Sequence, residues 1–370
     1  MDHLHNALFQ AIDQLAASSS LEQLEAVLKD DEHLGRAVTG TLGDLAKEVS
    51  RGLHETRAAM LADRARALAD IEREIKSRWS PVLDGLETLV VVALEAGADF
   101  SQEYRARAFE TGKYSIIALT SLHARACQIA QEVITLLRAG FADGAHARWR
   151  SLHELAVTAF LLAGKDEDLP ERYLWHQYIE ACRAMEEQDE YAARLGTQRY
   201  SQDELEASLR CREELLQRYG NAFGHSYGWA AELLTKKSPT FADLEKRAGL
   251  DHFRPYYRMA SYNVHAGPRG IAFRLGMPPT KKVLLAGPSI YGFADPAHGV
   301  AISLYQCSVG LLAHTPNVDR LVILKIMGEM VNEIGQSVIA VSQAMKGATP
   351  YDDDPQHGSS APNTISEADG

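Results

Sequence analysis

Apolar residues recur at intervals of three and four positions along most of the chain, and stretches of strict alternation are short. Spacing of three and four places apolar side chains on one face of an α-helix, whereas alternation is typical of a half-buried strand. The pattern therefore predicts an all-α protein built on an antiparallel helical bundle core.

The two most apolar helical patterns follow one another closely. The first ends at Gly140, and the second begins almost at once and runs to Gly164. Glycine is common just beyond the end of a helix, and a short connection brings two long helices together in opposite directions. We expect these two helices to form the centre of the bundle.

The sequence on either side of this pair differs in character. A run from about Thr41 to Arg78 is rich in strong helix formers, and Pro81 then marks a helix start or a kink. We predict an N-terminal helical extension over residues 1–80 and a bundle domain over residues 81–348. Residues 349–370 are acidic and poor in apolar side chains, which predicts a disordered tail.

The overall charge restricts the partners that the chain can bind. Its 370 residues carry 38 Lys and Arg against 50 Asp and Glu, so the formal net charge is -12. A surface of this sign repels polyanions, and nucleic acid could bind only at a local basic patch. The basic residues that could form one are Arg258, Arg269, Arg274, Lys281 and Lys282.

The four cysteines are widely spaced, and the N-terminus has no basic run followed by an apolar one. This pattern is typical of free thiols in a reducing compartment, so we expect a cytoplasmic protein. The most apolar window, LETLVVVALEAGADF, is too short and too charged to cross a membrane. The sequence also lacks a phosphate loop and a dinucleotide fingerprint, and we expect no cofactor.

A first polar cluster, His146, Arg150, His153 and Glu154, shares one stripe of the second apolar helix. Arg150 and Glu154 are four residues apart, so they predict either a structural ion pair or an anion contact with an orienting acid. The two histidines and Glu154 lack the spacing of a zinc protease helix, and we expect no metal.

A second cluster lies in the glycine-rich segment YGNAFGHSYGWAAELL. His225 and Tyr227 precede a short helical pattern there, and the glycines give the backbone freedom. These side chains either line a pocket or pack as aromatic anchors.

A third cluster occupies the segment RMASYNVHAGPRG. If this segment is a helix, then Arg258, Ser261 and His265 share one face, and Gly267 with Pro268 ends the helix soon after His265. His265 would then cap the last turn as a cation, or it would act as a general acid or base beside Arg258. Both alternatives stay open.

Several segments together, among them FADGAHARWRSLHELAVTAF and YYRMASYNVHAGPRG, resemble the bacterial domain-of-unknown-function family fifty-six seventy-seven. The resemblance covers about Thr88 to Met345. It implies a helical domain in which Arg150, Glu154, Ser261 and His265 occupy the most characteristic positions.

A weaker resemblance is to the HEPN superfamily of helical ribonucleases and nucleotide-binding proteins. Its motif is an Arg followed within a few residues by a His at a helix end, and Arg258 and His265 fit the loosest form, although Met259 stands where a polar residue is usual. The resemblance implies metal-independent RNA cleavage by a homodimer in phage defence or a stress response. The competing hypothesis is a non-catalytic helical module that binds a ligand or a protein.

Overall fold

A computed structural model describes residues 3–18, 31–164, 166–278 and 284–348. These residues form α-helices, three short 3₁₀ segments and turns, and no strand occurs among them. The predicted all-α class is therefore confirmed. The described residues fall into two compact units that divide between Glu74 and Ile75.

The first helices are α1 (His3–Ser18) and α2 (Asp31–Thr111). Pro81 lies inside α2, so the alternative in which it begins a helix is wrong. Proline removes one backbone hydrogen bond from a helix interior. Trp79, Val82 and Leu83 on either side of it are buried, and this packing keeps the chain helical past Pro81.

Three mutually packed helices form the centre of the second unit: α3 (Tyr114–Arg138), α4 (Ala142–Leu162) and a later helix, α10 (Ala294–Leu312). The connection between α3 and α4 contains Gly140 with a φ of +84°. This left-handed conformation favours glycine and reverses the chain within three residues. The predicted pairing of these two helices at the core is confirmed.

The remaining helices surround this centre. In chain order they are α5 (Asp168–Leu195), α6 (Gln202–Tyr219), α7 (Phe241–Ala248), α8 (Arg254–Tyr262), α9 (Pro268–Ala272) and α11 (Val318–Ala348). Both α7 and α8 pack against α4, and α11 packs against α10. Thr240 and Asp243 form a capping box at the start of α7, which fixes where this short helix begins.

Close approach of α10 to α4 depends on small residues. A Cβ atom on Gly299 would lie 2.7 Å from Nε1 of Trp149, whose ring is buried between the two helices. The same indole nitrogen donates a hydrogen bond to Ser303 Oγ at 3.1 Å. Gly299 therefore sets the distance at which the two central helices pack.

Some predictions fall outside the described residues. These are the disordered tail from residue 349 onward and the contribution of Lys281 and Lys282 to a basic patch. No helix in the described ranges is long and apolar enough to cross a bilayer. All four cysteines are free thiols, and Cys127, Cys182 and Cys307 are buried.

Two glycine substitutions in the central helices should change stability in opposite directions. Gly299→Ala should lower the free energy of unfolding by about 1–3 kcal/mol, because the new methyl group forces the Trp149 ring to move in a packed core. In Gly144→Ala, the methyl group meets only ordinary contacts, the nearest at 3.8 Å, and helix propensity should raise stability by about 0.5 kcal/mol. Urea unfolding measures both, and changes of equal sign would contradict this packing.

Candidate ligand-binding site

The first predicted cluster forms a partly exposed ion pair on α4. Arg150 Nε donates to Glu154 Oε1 at 3.1 Å, and the hydroxyl of Tyr257 on α8 donates to the same oxygen at 2.6 Å. The Arg150 guanidinium also lies over the Tyr257 ring, 4.6 Å from its centroid. Burial, reinforced by the Glu154 carboxylate, raises the pKa of Tyr257, so the phenol stays protonated and acts as a donor.

A second polar network also lies beside Tyr257, and its carboxylate and histidine are fully buried. The carboxylate of Glu245 on α7 has no exposed surface, and neither has His153 on α4. His153 Nε2 lies 3.0 Å from Glu245 Oε1, and Arg254 donates to Oε2. Because a carboxylate only accepts, His153 carries its proton on Nε2 in this contact. The Arg254 guanidinium lies 5.2 Å from the centre of the Tyr257 ring.

Sequence reasoning placed His153 in the site but missed Glu245 and Arg254. A signal was available for Glu245, because it follows Leu244 and lies one helical turn after Phe241 on the apolar side of α7. A carboxylate in such surroundings is stable only when it is paired. Its partner on α4 is distant in the sequence, so spacing alone could not identify it.

A cavity of about 380 Å³ opens beside this network. The residues that line it come from α8 and the segment that follows, and they are Arg254, Pro255, Arg258, Met259, Tyr262, Arg269 and Phe273. Arg269 also lies over the Phe273 ring at 5.7 Å. The cavity therefore combines three guanidinium groups with two aromatic rings.

The residues of the third predicted cluster do not lie together in the cavity. Arg258 is exposed and lines the cavity, whereas Ser261 turns back and donates to the Tyr257 carbonyl at 2.8 Å. His265 is exposed and lies outside the cavity lining.

The prediction that His265 belongs to the last turn of the helix is wrong, because α8 ends at Tyr262. The backbone tightens there, and the amide of Asn263 donates to the Ala260 carbonyl at 3.1 Å. A helix end that closes with such short-range bonds leaves the following residues in a turn.

The second predicted cluster lies apart from the cavity. The His225 side chain is exposed, and its carbonyl accepts a hydrogen bond from His176 Nε2 at 2.8 Å. Tyr227 is half-buried near Phe241, with ring centroids 6.3 Å apart. Burial and the nearby Glu154 carboxylate raise the pKa of Tyr227. Of the two residues, only Tyr227 lies close to the Arg150 and Glu154 pair.

His146, one turn before Arg150, is a core residue. Its ring is fully buried and stacks on Trp149 with centroids 5.3 Å apart, and neither ring nitrogen has a hydrogen-bond partner among the described residues. Burial lowers the pKa of His146 to about 4. In the described part of the chain, no group of three or more His, Cys, Asp or Glu side chains could hold a metal ion.

Comparison with known proteins identifies part of this domain. Residues 116–282 match the model of a family of unknown function (DUF5677), which confirms the resemblance expected from the sequence. The match is shorter than the expected stretch from Thr88 to Met345, but it includes α4, α7, α8 and every residue of the cavity lining. No curated protein and no solved structure matches the chain. The resemblance to the HEPN superfamily stays a prediction.

The two buried histidines should make the free energy of unfolding depend on pH. Burial lowers the pKa of both His123 and His146 from 6.5 to about 4, so between these values the unfolded chain binds protons that the folded chain does not. Lowering the pH from 6.5 towards 4 should therefore reduce the free energy of unfolding by up to about 1.4 kcal/mol per pH unit for each histidine.

His146→Leu should remove one histidine's share of this slope in urea unfolding measured across that range. Leu162→Ala shortens a fully buried side chain without changing any titrating group, and it should keep the wild-type slope. An unchanged slope in His146→Leu would contradict the assignment of a buried neutral His146.

Proposed function

We propose that the bundle domain binds single-stranded RNA, with one nucleotide of the RNA held in the arginine-lined cavity. The observation that carries this proposal is the presence of Arg254, Arg258 and Arg269 around one concave space on a chain with a net charge of -12. Guanidinium groups bind phosphate oxygens in a bidentate manner, and they are concentrated here against the overall sign of the protein.

The aromatic side chains favour RNA over a simple inorganic anion. Tyr262 and Phe273 line the same cavity, and an aromatic ring supports an unpaired base by stacking, worth about 1–3 kcal/mol per base. Arginine beside aromatic rings is a common arrangement for single-stranded nucleic acids, because the guanidinium contacts phosphate or stacks on a base.

A second candidate function is metal-independent RNA cleavage by a HEPN-like dimer, in which Arg258 stabilises a developing anion and His265 transfers a proton. The observation that favours it is that both side chains are exposed within one short segment. Because His265 does not line the cavity, the geometry supports binding more strongly than cleavage.

Fluorescence anisotropy with a single-stranded RNA of about twelve nucleotides, carrying a 5′-monophosphate and a 3′-fluorescein, tests the proposal. Arg258→Ala should weaken binding about tenfold and lower the salt dependence by about 0.7 in the log–log slope, as expected when one phosphate contact is lost. Arg199→Ala removes the same charge from an exposed position between α5 and α6 and should change affinity less than twofold.

Equal affinity of wild type and Arg258→Ala would contradict the proposal.

The same RNA, separated on a denaturing gel after incubation, tests the second candidate function, which is RNA cleavage. Cleavage by the wild type that is lost in His265→Ala would support a ribonuclease, whereas intact RNA in both would contradict it.

A further inference from the structure

The charges around the cavity are not all equally available to a ligand. Arg254 is paired with the buried Glu245, so much of its charge is already compensated. For Arg258 and Arg269, no carboxylate within the described ranges lies at ion-pair distance, and both side chains are exposed. The cavity therefore presents two uncompensated positive charges beside a third guanidinium that is held in place.

The size of the cavity limits how much of an RNA chain it can hold. Small-molecule sites usually enclose roughly 300–1,000 Å³, so a space of about 380 Å³ lies near the lower end of that range. Such a space suits one nucleotide. A strand passing through it would carry one negative charge on each phosphodiester, whereas the end of a strand can carry a phosphomonoester.

A terminal phosphate matches the cavity charge better than an internal one. A phosphomonoester carries about -1.5 to -2 at pH 7, whereas a phosphodiester carries a single charge. Two guanidinium groups without a carboxylate partner in the described ranges are complementary to the dianion, and each charge-assisted hydrogen bond contributes more than a neutral one.

We propose that the cavity recognises the terminal phosphomonoester of an RNA strand, with Arg258 and Arg269 on the phosphate and an aromatic ring of Tyr262 or Phe273 against the terminal base. This inference rests on the proposed function and narrows it from RNA in general to RNA ends. A phosphoserine peptide carries a similar dianion, but it brings no planar base to the two rings.

The test compares three forms of the twelve-nucleotide RNA with a 3′-fluorescein, which differ only at the 5′ end. One form carries a monophosphate, one a hydroxyl, and one a methyl phosphate that keeps the phosphorus but removes the second charge. Two further RNAs of the same sequence carry the fluorescein at the 5′ end and either a phosphate or a hydroxyl at the 3′ end. The two strand ends are therefore tested separately.

We expect the RNA with a monophosphate at one of its ends to bind about tenfold more tightly than the RNA with a hydroxyl at that end. This ratio is what the loss of one charge-assisted contact predicts. The methyl phosphate should lose most of this preference if the 5′ end is the one recognised. Arg258→Ala and Arg269→Ala should each abolish the preference, whereas Arg199→Ala should keep it. Arg258 and Arg269 are both exposed, so neither substitution is expected to affect folding.

The outcomes separate this inference from the proposed function. Tight binding of all RNA forms without an end preference would overturn the inference and leave RNA binding in place. Absence of binding by every form would overturn both. Displacement of the RNA by a phosphoserine peptide as readily as by an adenosine 5′-monophosphate competitor would overturn the assignment of a nucleotide, because the rings would then contribute nothing to recognition.

Discussion

A carboxylate without exposed surface determines how the edge of this bundle is organised. Removing a charge from water is costly, and a buried carboxylate persists only when neighbouring groups replace its hydration. Glu245 obtains these partners from two other helices, with His153 on α4 and Arg254 at the start of α8. The requirement to pair one side chain therefore fixes three helices relative to one another.

Arg254 connects this requirement to the surface. One end of the interaction is the buried Glu245, and the guanidinium itself lies on the cavity wall. The Tyr257 ring contacts two guanidinium groups, that of Arg254, which binds the buried Glu245, and that of Arg150, which binds the partly exposed Glu154. Exposure increases from His153 and Glu245 through the Arg150 and Glu154 pair to Arg258, which has no carboxylate at ion-pair distance in the described ranges. Positive charge is therefore exposed at the cavity of a protein whose net charge is negative.

The features that the sequence predicted well depend on local interactions. Helical spacing and the break at Gly140 were sufficient to pair α3 with α4, because a short connection has few alternatives. The contact between Arg150 and Glu154 follows from their separation by one helical turn. The cavity itself was not predicted, since it depends on where the chain turns after Tyr262. Helix-end geometry of this kind is decided by hydrogen bonds that spacing does not reveal, and His265 was misplaced for that reason.

The buried pair was missed for a different reason. His153 and Glu245 are 92 residues apart, and a contact over that distance requires the tertiary structure. His153 appeared in the sequence as a companion of Arg150 on one helical stripe, whereas its partner is the carboxylate on α7. Glu245, and not Glu154, is therefore the carboxylate on which the arrangement of these helices depends.

Urea unfolding of Glu245→Gln and Glu154→Gln at pH 7.5 distinguishes the contributions of the two carboxylates to stability. Both substitutions keep the shape of the side chain and remove its charge. We predict a loss of about 2 kcal/mol or more for Glu245→Gln, because the buried hydrogen bonds to a charged group are weakened. Glu154→Gln should cost less than about 1 kcal/mol, since that pair is partly exposed. Equal costs, or a larger cost for Glu154→Gln, would show that the arrangement of these helices does not depend on Glu245.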